Sequence, residues 1–156
     1  MYYLAHLIPP PDLVERMVAY QETYRDRNII PSKAGIHCTI FAAHIKEGLD
    51  ATLITGLRRL HHPPVTVELL DLERFHSNSL AQIVRPTQEL KNIHTQVGEL
   101  FLPLIDKPRM RPIPKEYAHE QERQRAHEAY GSCFFGPFFR PHITIGQINF
   151  DGFTIP

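Results

Sequence analysis

The chain has too few cysteines, and no excess of either charge, to fit several common classes. Cys38 and Cys133 are its only cysteines in 156 residues, and two isolated thiols make neither a disulfide framework nor a zinc motif. That usage fits a reducing compartment, so a cytoplasmic location is expected. Seventeen Lys and Arg balance seventeen Asp and Glu, so no global positive field draws the chain onto a long polyanion, and duplex DNA is not an expected partner. A single phosphate needs only a local cluster of donors, which leaves a nucleotide or a short oligonucleotide open. No apolar run approaches the roughly 20 residues of a membrane-spanning helix. The start, Met1 to Pro10, lacks a basic beginning and its short apolar run is broken by His6, so it does not read as a signal peptide.

What is present looks globular: 42% hydrophobic and 22% charged residues are ordinary for a soluble domain. The length suits one domain over residues 1–156, monomeric by default. Residues 2–8 favour a strand that Pro9-Pro10-Pro11 stops, and Asp12 can cap a helix carrying Leu13, Met17, Tyr20 and Tyr24. Gly35 to Phe41 reads as a second strand, followed by a helix from Asp50 with Leu53, Ile54, Leu57 and Leu60 on one stripe. Val65 to Phe75 and Leu80 to Arg85 suggest a hairpin around His76-Ser77-Asn78-Ser79. Pro86-Thr87 opens the clearest amphipathic helix, with Leu90, Ile93, Val97, Leu100, Phe101 and Leu104 three or four apart. Residues 107–130 are rich in proline and charge and read as an insertion or lid with a polar helix. A last strand is expected over Arg140 to Gly146.

His-x-Thr-Ile occurs twice, as His37-Cys38-Thr39-Ile40 and His142-Ile143-Thr144-Ile145. In a strand, residues i and i+2 share a face about 6.6 Å apart, so each motif presents an imidazole and a hydroxyl together, while Cys38 and Ile143 turn to the opposite face and the core. Two such strands side by side make a cradle. Phosphodiester transfer needs a base, an acid and donors for the non-bridging oxygens. Histidine serves both proton roles because its ordinary pKa of about 6.5 lets one ring be neutral and another charged near neutral pH. No metal or cofactor is required by this logic. One His-x-Thr arises easily by chance in a chain with ten histidines; two copies, one in each half and each followed by Ile, are hard to ascribe to composition.

The two motifs and the order of strands and helices resemble the two-histidine (2H) phosphoesterase superfamily, which includes 2′-5′ RNA ligase-like proteins and cyclic phosphodiesterases. The resemblance covers Met1 to about Gln147. It implies an α+β, bilobal, pseudo-twofold fold: two antiparallel sheets with helices outside and a central cleft that takes one motif from each lobe. It also implies His37, Thr39, His142 and Thr144 as the catalytic set, acting on a 2′,3′-cyclic phosphate or a related nucleotide or RNA-end phosphodiester. The alternatives are a 2′-5′ RNA ligase, a phosphodiesterase for 2′-5′ oligonucleotides, and a module that binds a nucleotide or RNA end without turnover. The motifs stand further apart than in compact members, and residues 107–130 account for the excess.

Other residues compete for roles. The remaining histidines lack a His-Glu-x-x-His or Cys-x-x-Cys context, so no metal site is expected. His6 can face the cleft or simply pack. Arg140 shares by alternation the face of His142 and is the candidate substrate-binding cation; Arg85 reads as a surface residue. Phe134, Phe135, Phe138 and Phe139 suit core packing better than base stacking. Lys107, Arg109, Arg111, Lys115, Arg123 and Arg125 could rim an RNA site, but Glu116, Glu120, Glu122 and Glu128 lie among them, which favours a solvated face.

Overall fold

A computed structural model of the chain describes residues 1–24, 29–31, 35–75 and 78–148. The described residues form an α+β structure of six strands and four α-helices. The strands are β1 (Tyr2–Leu7), β2 (Ile29–Pro31), β3 (Cys38–His44), β4 (Leu69–Phe75), β5 (Ser79–Val84) and β6 (His142–Ile148). They join in one sheet of order β1-β3-β6-β5-β4, with β2 paired to β6 as well. The pairings of β2, β3 and β5 with β6, and of β4 with β5, are antiparallel. The family resemblance implies two separate sheets. The two halves of the chain instead share one, because β3 from the first half hydrogen-bonds to β6 from the second.

Two compact units can be distinguished within the chain. One is built from the described residues of 6–39, 67–85 and 141–148. Its helix α1 (Pro11–Thr23) starts one residue before the Asp12 cap that the sequence suggests. Pro11 takes the first helical position, where its fixed φ suits the helix and its missing N–H would have had no partner, and Asp12 lies in the first turn near the positive end of the dipole. Leu13, Met17 and Gln21 form its buried stripe. Gln21 Nε2 donates to the Ile145 carbonyl at 2.6 Å, which pins α1 to β6. The β4–β5 hairpin is present; strand pairing begins at Leu69 rather than Val65, with an irregularity before Leu72. Residues 76 and 77 of its turn lie outside the described residues, and Asn78 has φ 54°, a left-handed conformation that Asn tolerates better than most residues.

The other unit comprises residues 1–5, 40–66 and 86–140. It holds α2 (Asp50–Arg59), α3 (Gln88–Phe101) and α4 (Gln121–Tyr130). Thr87 caps α3, its Oγ1 accepting the Leu90 N–H at 3.3 Å. The buried stripe is Leu90, Ile93, His94, Val97, Gly98 and Phe101, and Leu104 follows it in a 3-10 turn. His94 is held firmly. Its Nδ1 lies 2.7 Å from the Ile40 carbonyl and its Nε2 accepts the Gly136 N–H at 3.1 Å. This pattern fixes the neutral tautomer with the proton on Nδ1. The ring stacks on Phe139 with centroids 4.0 Å apart. Burial, only partly offset by the Ile40 hydrogen bond, pushes its pKa below the ordinary histidine value.

Residues 107–130 form two 3-10 turns and then α4, which has no fully buried residue. The segment is tied down by Arg123, which bonds Glu120 at 2.8 Å and the Cys133 carbonyl at 3.2 Å. The same guanidinium lies 4.2 Å over the Tyr117 ring and 4.4 Å from that of Phe138. Phe135 and Phe139 are core residues of this unit. Phe135 and Phe139 are therefore engaged in core packing, as their sequence context suggests, whereas Phe134 and Phe138 are half-buried against Arg123. Both cysteines are buried free thiols. Among the described residues, no helix is long and apolar enough to cross a membrane.

Candidate functional site

The chain enters β3 through Gly35, whose φ of 75° belongs to the left-handed region that glycine occupies without strain. His37 turns its Nδ1 back onto the Gly35 carbonyl at 3.1 Å. This local bend explains why β3 begins at Cys38 rather than at Gly35 and leaves His37 one residue before the strand. With Nδ1–H donated to Gly35, the Nε2 of a neutral His37 is the nitrogen left to exchange a proton outside the loop.

β3 and β6 meet at the pair Cys38 and Ile143. Both are buried, at 6% and 2% exposure, so they point to the core face. Residues on either side point the other way. Extended by one residue in each direction, the antiparallel register sets Thr39 opposite His142 and His37 opposite Thr144. All four are half-buried, whereas Cys38, Ile40, Ile143 and Ile145 are buried. Residues directly opposite have Cβ atoms about 5 Å apart, and diagonal neighbours are about 7–8 Å apart. The two imidazoles thus occupy one diagonal of the quartet and the two hydroxyls the other. The resemblance implies one motif per lobe; here both motifs lie within one compact unit, on paired strands.

β6 carries the same face on to β5. Ile83 stands opposite His142 and Ala81 opposite Thr144, and both are almost fully buried. Beyond Ala81 comes Glu73 of β4, about two strand spacings, or roughly 10 Å, from Thr144. Glu73 belongs to no sequence motif; only the hairpin register reveals that it shares this face. On the other flank, β1 lies next to β3, and the His6 ring is centred 5.0 Å from that of His37 at an angle of 51°. Its partial burial, and secondarily the charge of His37, hold His6 below the ordinary histidine pKa.

Cys38 lies inside the first motif but offers no nucleophile on the quartet's face. Burial pushes its thiol up to about 11, against a smaller opposite effect of a hydrogen bond to the His142 backbone. Arg140 is exposed and precedes the buried Pro141, outside β6. Arg85 is exposed and makes a two-point hydrogen-bonded ion pair with Glu68, Nη2 to Oε1 at 2.8 Å, which fits its surface reading. Of the six cations considered for an RNA rim, Arg111 stacks 4.2 Å over Tyr2, Arg109 pairs with Asp106 at 3.4 Å and Arg123 is enclosed by its aromatics. Among the described residues, no three His, Cys, Asp or Glu side chains gather into a metal-holding group.

No family model matches the chain, and no curated protein matches it. A solved crystal structure of a phosphoesterase aligns with 99% of this chain and 77% of its own, with a TM-score of 0.61 at 18% sequence identity. The strand order and helices described above are therefore an architecture that this chain shares with a phosphoesterase of known structure.

Proposed function

We propose that the chain is a metal-independent phosphoesterase that opens a 2′,3′-cyclic phosphate, or a related nucleotide or RNA-end phosphodiester, by two-histidine acid–base catalysis. The observation that supports this reading is the β3–β6 pairing of Cys38 with Ile143, which, extended by one residue each way, puts each histidine opposite the other motif's threonine, all four half-buried. Displacement at phosphorus runs in line, with the attacking and leaving oxygens on opposite sides. Imidazoles on one diagonal suit that geometry. One takes the proton of the attacking water as its oxygen bonds to phosphorus; the other protonates the ribose oxygen as its bond to phosphorus breaks. Thr39 and Thr144, on the other diagonal, donate to the non-bridging oxygens, where charge is concentrated. The product is a ribose phosphate monoester. Likeness in fold to a phosphoesterase supports the same class of chemistry.

The test is turnover by chelator-treated protein of 2′,3′-cyclic nucleotides and of 2′-5′ and 3′-5′ dinucleotides, beside His37→Ala and His142→Ala. Each substitution is expected to lower kcat by about 10²–10⁴-fold. Turnover that survives either change would defeat the two-histidine mechanism, and turnover lost with chelator would point to a metal enzyme. Preference for 2′-5′ dinucleotides would move the substrate to that linkage. Nucleotide binding that needs both histidines, without turnover, would make the site a binding module.

A further inference from the structure

The two flanks of the quartet differ. On the β5 side, Ala81 and Ile83 are 0% and 4% exposed, so the side chains next to Thr144 and His142 are apolar and closed to solvent. On the β1 side the next side chain is an exposed imidazole, His6, beside His37. Within this unit, the quartet's solvent-exposed flank is therefore lined by a histidine.

Two rings at this spacing carry two positive charges poorly in an empty site, which agrees with the lowering of the His6 pKa by burial and by His37. An anion held against both rings turns that repulsion into shared attraction. A cyclic phosphate carries one negative charge, whereas the monoester left by ring opening carries close to two at neutral pH. The second charge is what a further cationic donor recognises.

Resting on the reading of the quartet as a phosphoester site, we propose that His6 is a further anion-binding residue of that site. It contacts a phosphate oxygen beside His37 and favours a terminal phosphate monoester over a cyclic diester. Replacing His6 leaves the buried core untouched, because the side chain is exposed.

The experiment follows the ring signals of the histidines by NMR during titration with inorganic phosphate, and measures inhibition of cyclic-nucleotide turnover by phosphate and by nucleoside 3′-monophosphate. Phosphate is expected to move the His6, His37 and His142 signals together. His6→Ala should raise both inhibition constants about tenfold, the loss of one charge-assisted hydrogen bond, and raise KM for the cyclic substrate by a smaller factor. His6→Asn, which keeps a donor, should recover part of the loss. Phosphate that moves His37 and His142 but leaves His6 still, or inhibition constants within twofold of wild type in His6→Ala, would overturn the role of His6 while sparing the quartet. If phosphate moves none of the three and His37→Ala turns over normally, the reading of the quartet fails and this inference falls with it.

Discussion

Replacing His94 by phenylalanine isolates what two hydrogen bonds contribute inside the α3 unit. The ring shape is kept, so stacking on Phe139 and packing beside Phe135 and Phe41 survive. What disappears is the donor to the Ile40 carbonyl and the acceptor for the Gly136 N–H. His94 is 3% exposed, so water does not readily replace either partner. A buried group left unpaired costs about 1–3 kcal/mol. Two such groups, less the gain from a more apolar ring, amount to about 2–4 kcal/mol. With a urea dependence of about 2 kcal/mol per molar for a domain of this size, the unfolding midpoint should fall by about 1–2 M. The change also has a pH signature. The native state holds His94 neutral, with its pKa below the ordinary 6.5. The neutral ring's stabilising effect is therefore complete above about pH 6.5 and is lost as the pH falls through the lower native pKa. Protonation at Nε2 would place an N–H against the Gly136 N–H. His94→Phe should therefore be less stable than wild type at pH 7.5, with a gap that narrows towards pH 5. Urea midpoints within about 0.3 M of each other at pH 7.5, or a gap independent of pH, would refute the argument.

Two further outcomes follow from packing. Gly98→Ala ought to be favoured by about 1 kcal/mol on helix propensity, yet a Cβ there would come within 2.1 Å of Phe135 Cε2. The clash should dominate, lowering stability by about 1–3 kcal/mol in thermal or urea unfolding; a more stable variant would show that Phe135 moves aside at little cost. Cys38, buried and with its thiol pushed up to about 11, should resist iodoacetamide at pH 8 in the folded protein and react readily in urea, and rapid native labelling would contradict its burial.

The elements most legible in the sequence were those whose signal is local. The α3 stripe is spaced by the helical period and starts with ordinary capping chemistry at Thr87. The proline run that ends β1 was equally plain, though the helix after it starts with proline at its first position rather than at an Asp12 cap, since both chemistries were available within two residues. Sheet membership was not legible in the same way. Alternation tells which face a residue takes and says nothing of which strand lies beside it, so the pairing of β3 with β6, and hence one sheet instead of two, required long-range contacts between residues a hundred positions apart in order of magnitude.

The candidate site divides along the same line. Two His-x-Thr motifs could be found by inspection, and alternation correctly sends Cys38 and Ile143 to the core. Which histidine faces which threonine depends on a single register fact, the opposition of Cys38 and Ile143. A slip of one residue would turn one motif's His and Thr to the core face, leaving two buried polar groups and exposing Cys38 or Ile143. The buried Cys38–Ile143 pair therefore does more than fill space: apolar burial on one face fixes the alignment of polar groups on the other. The same logic explains why Glu73 does not stand out in the sequence and why the sequence leaves His6 between the cleft and simple packing. Neither belongs to a motif, and each reaches the quartet's face only through its strand's place in the sheet, His6 beside β3 and Glu73 across the β5 row. Residues that flank a candidate site built on a sheet are thus set by register with strands distant in sequence, whereas the paired motifs at its centre are visible because each needs only two residues on one strand.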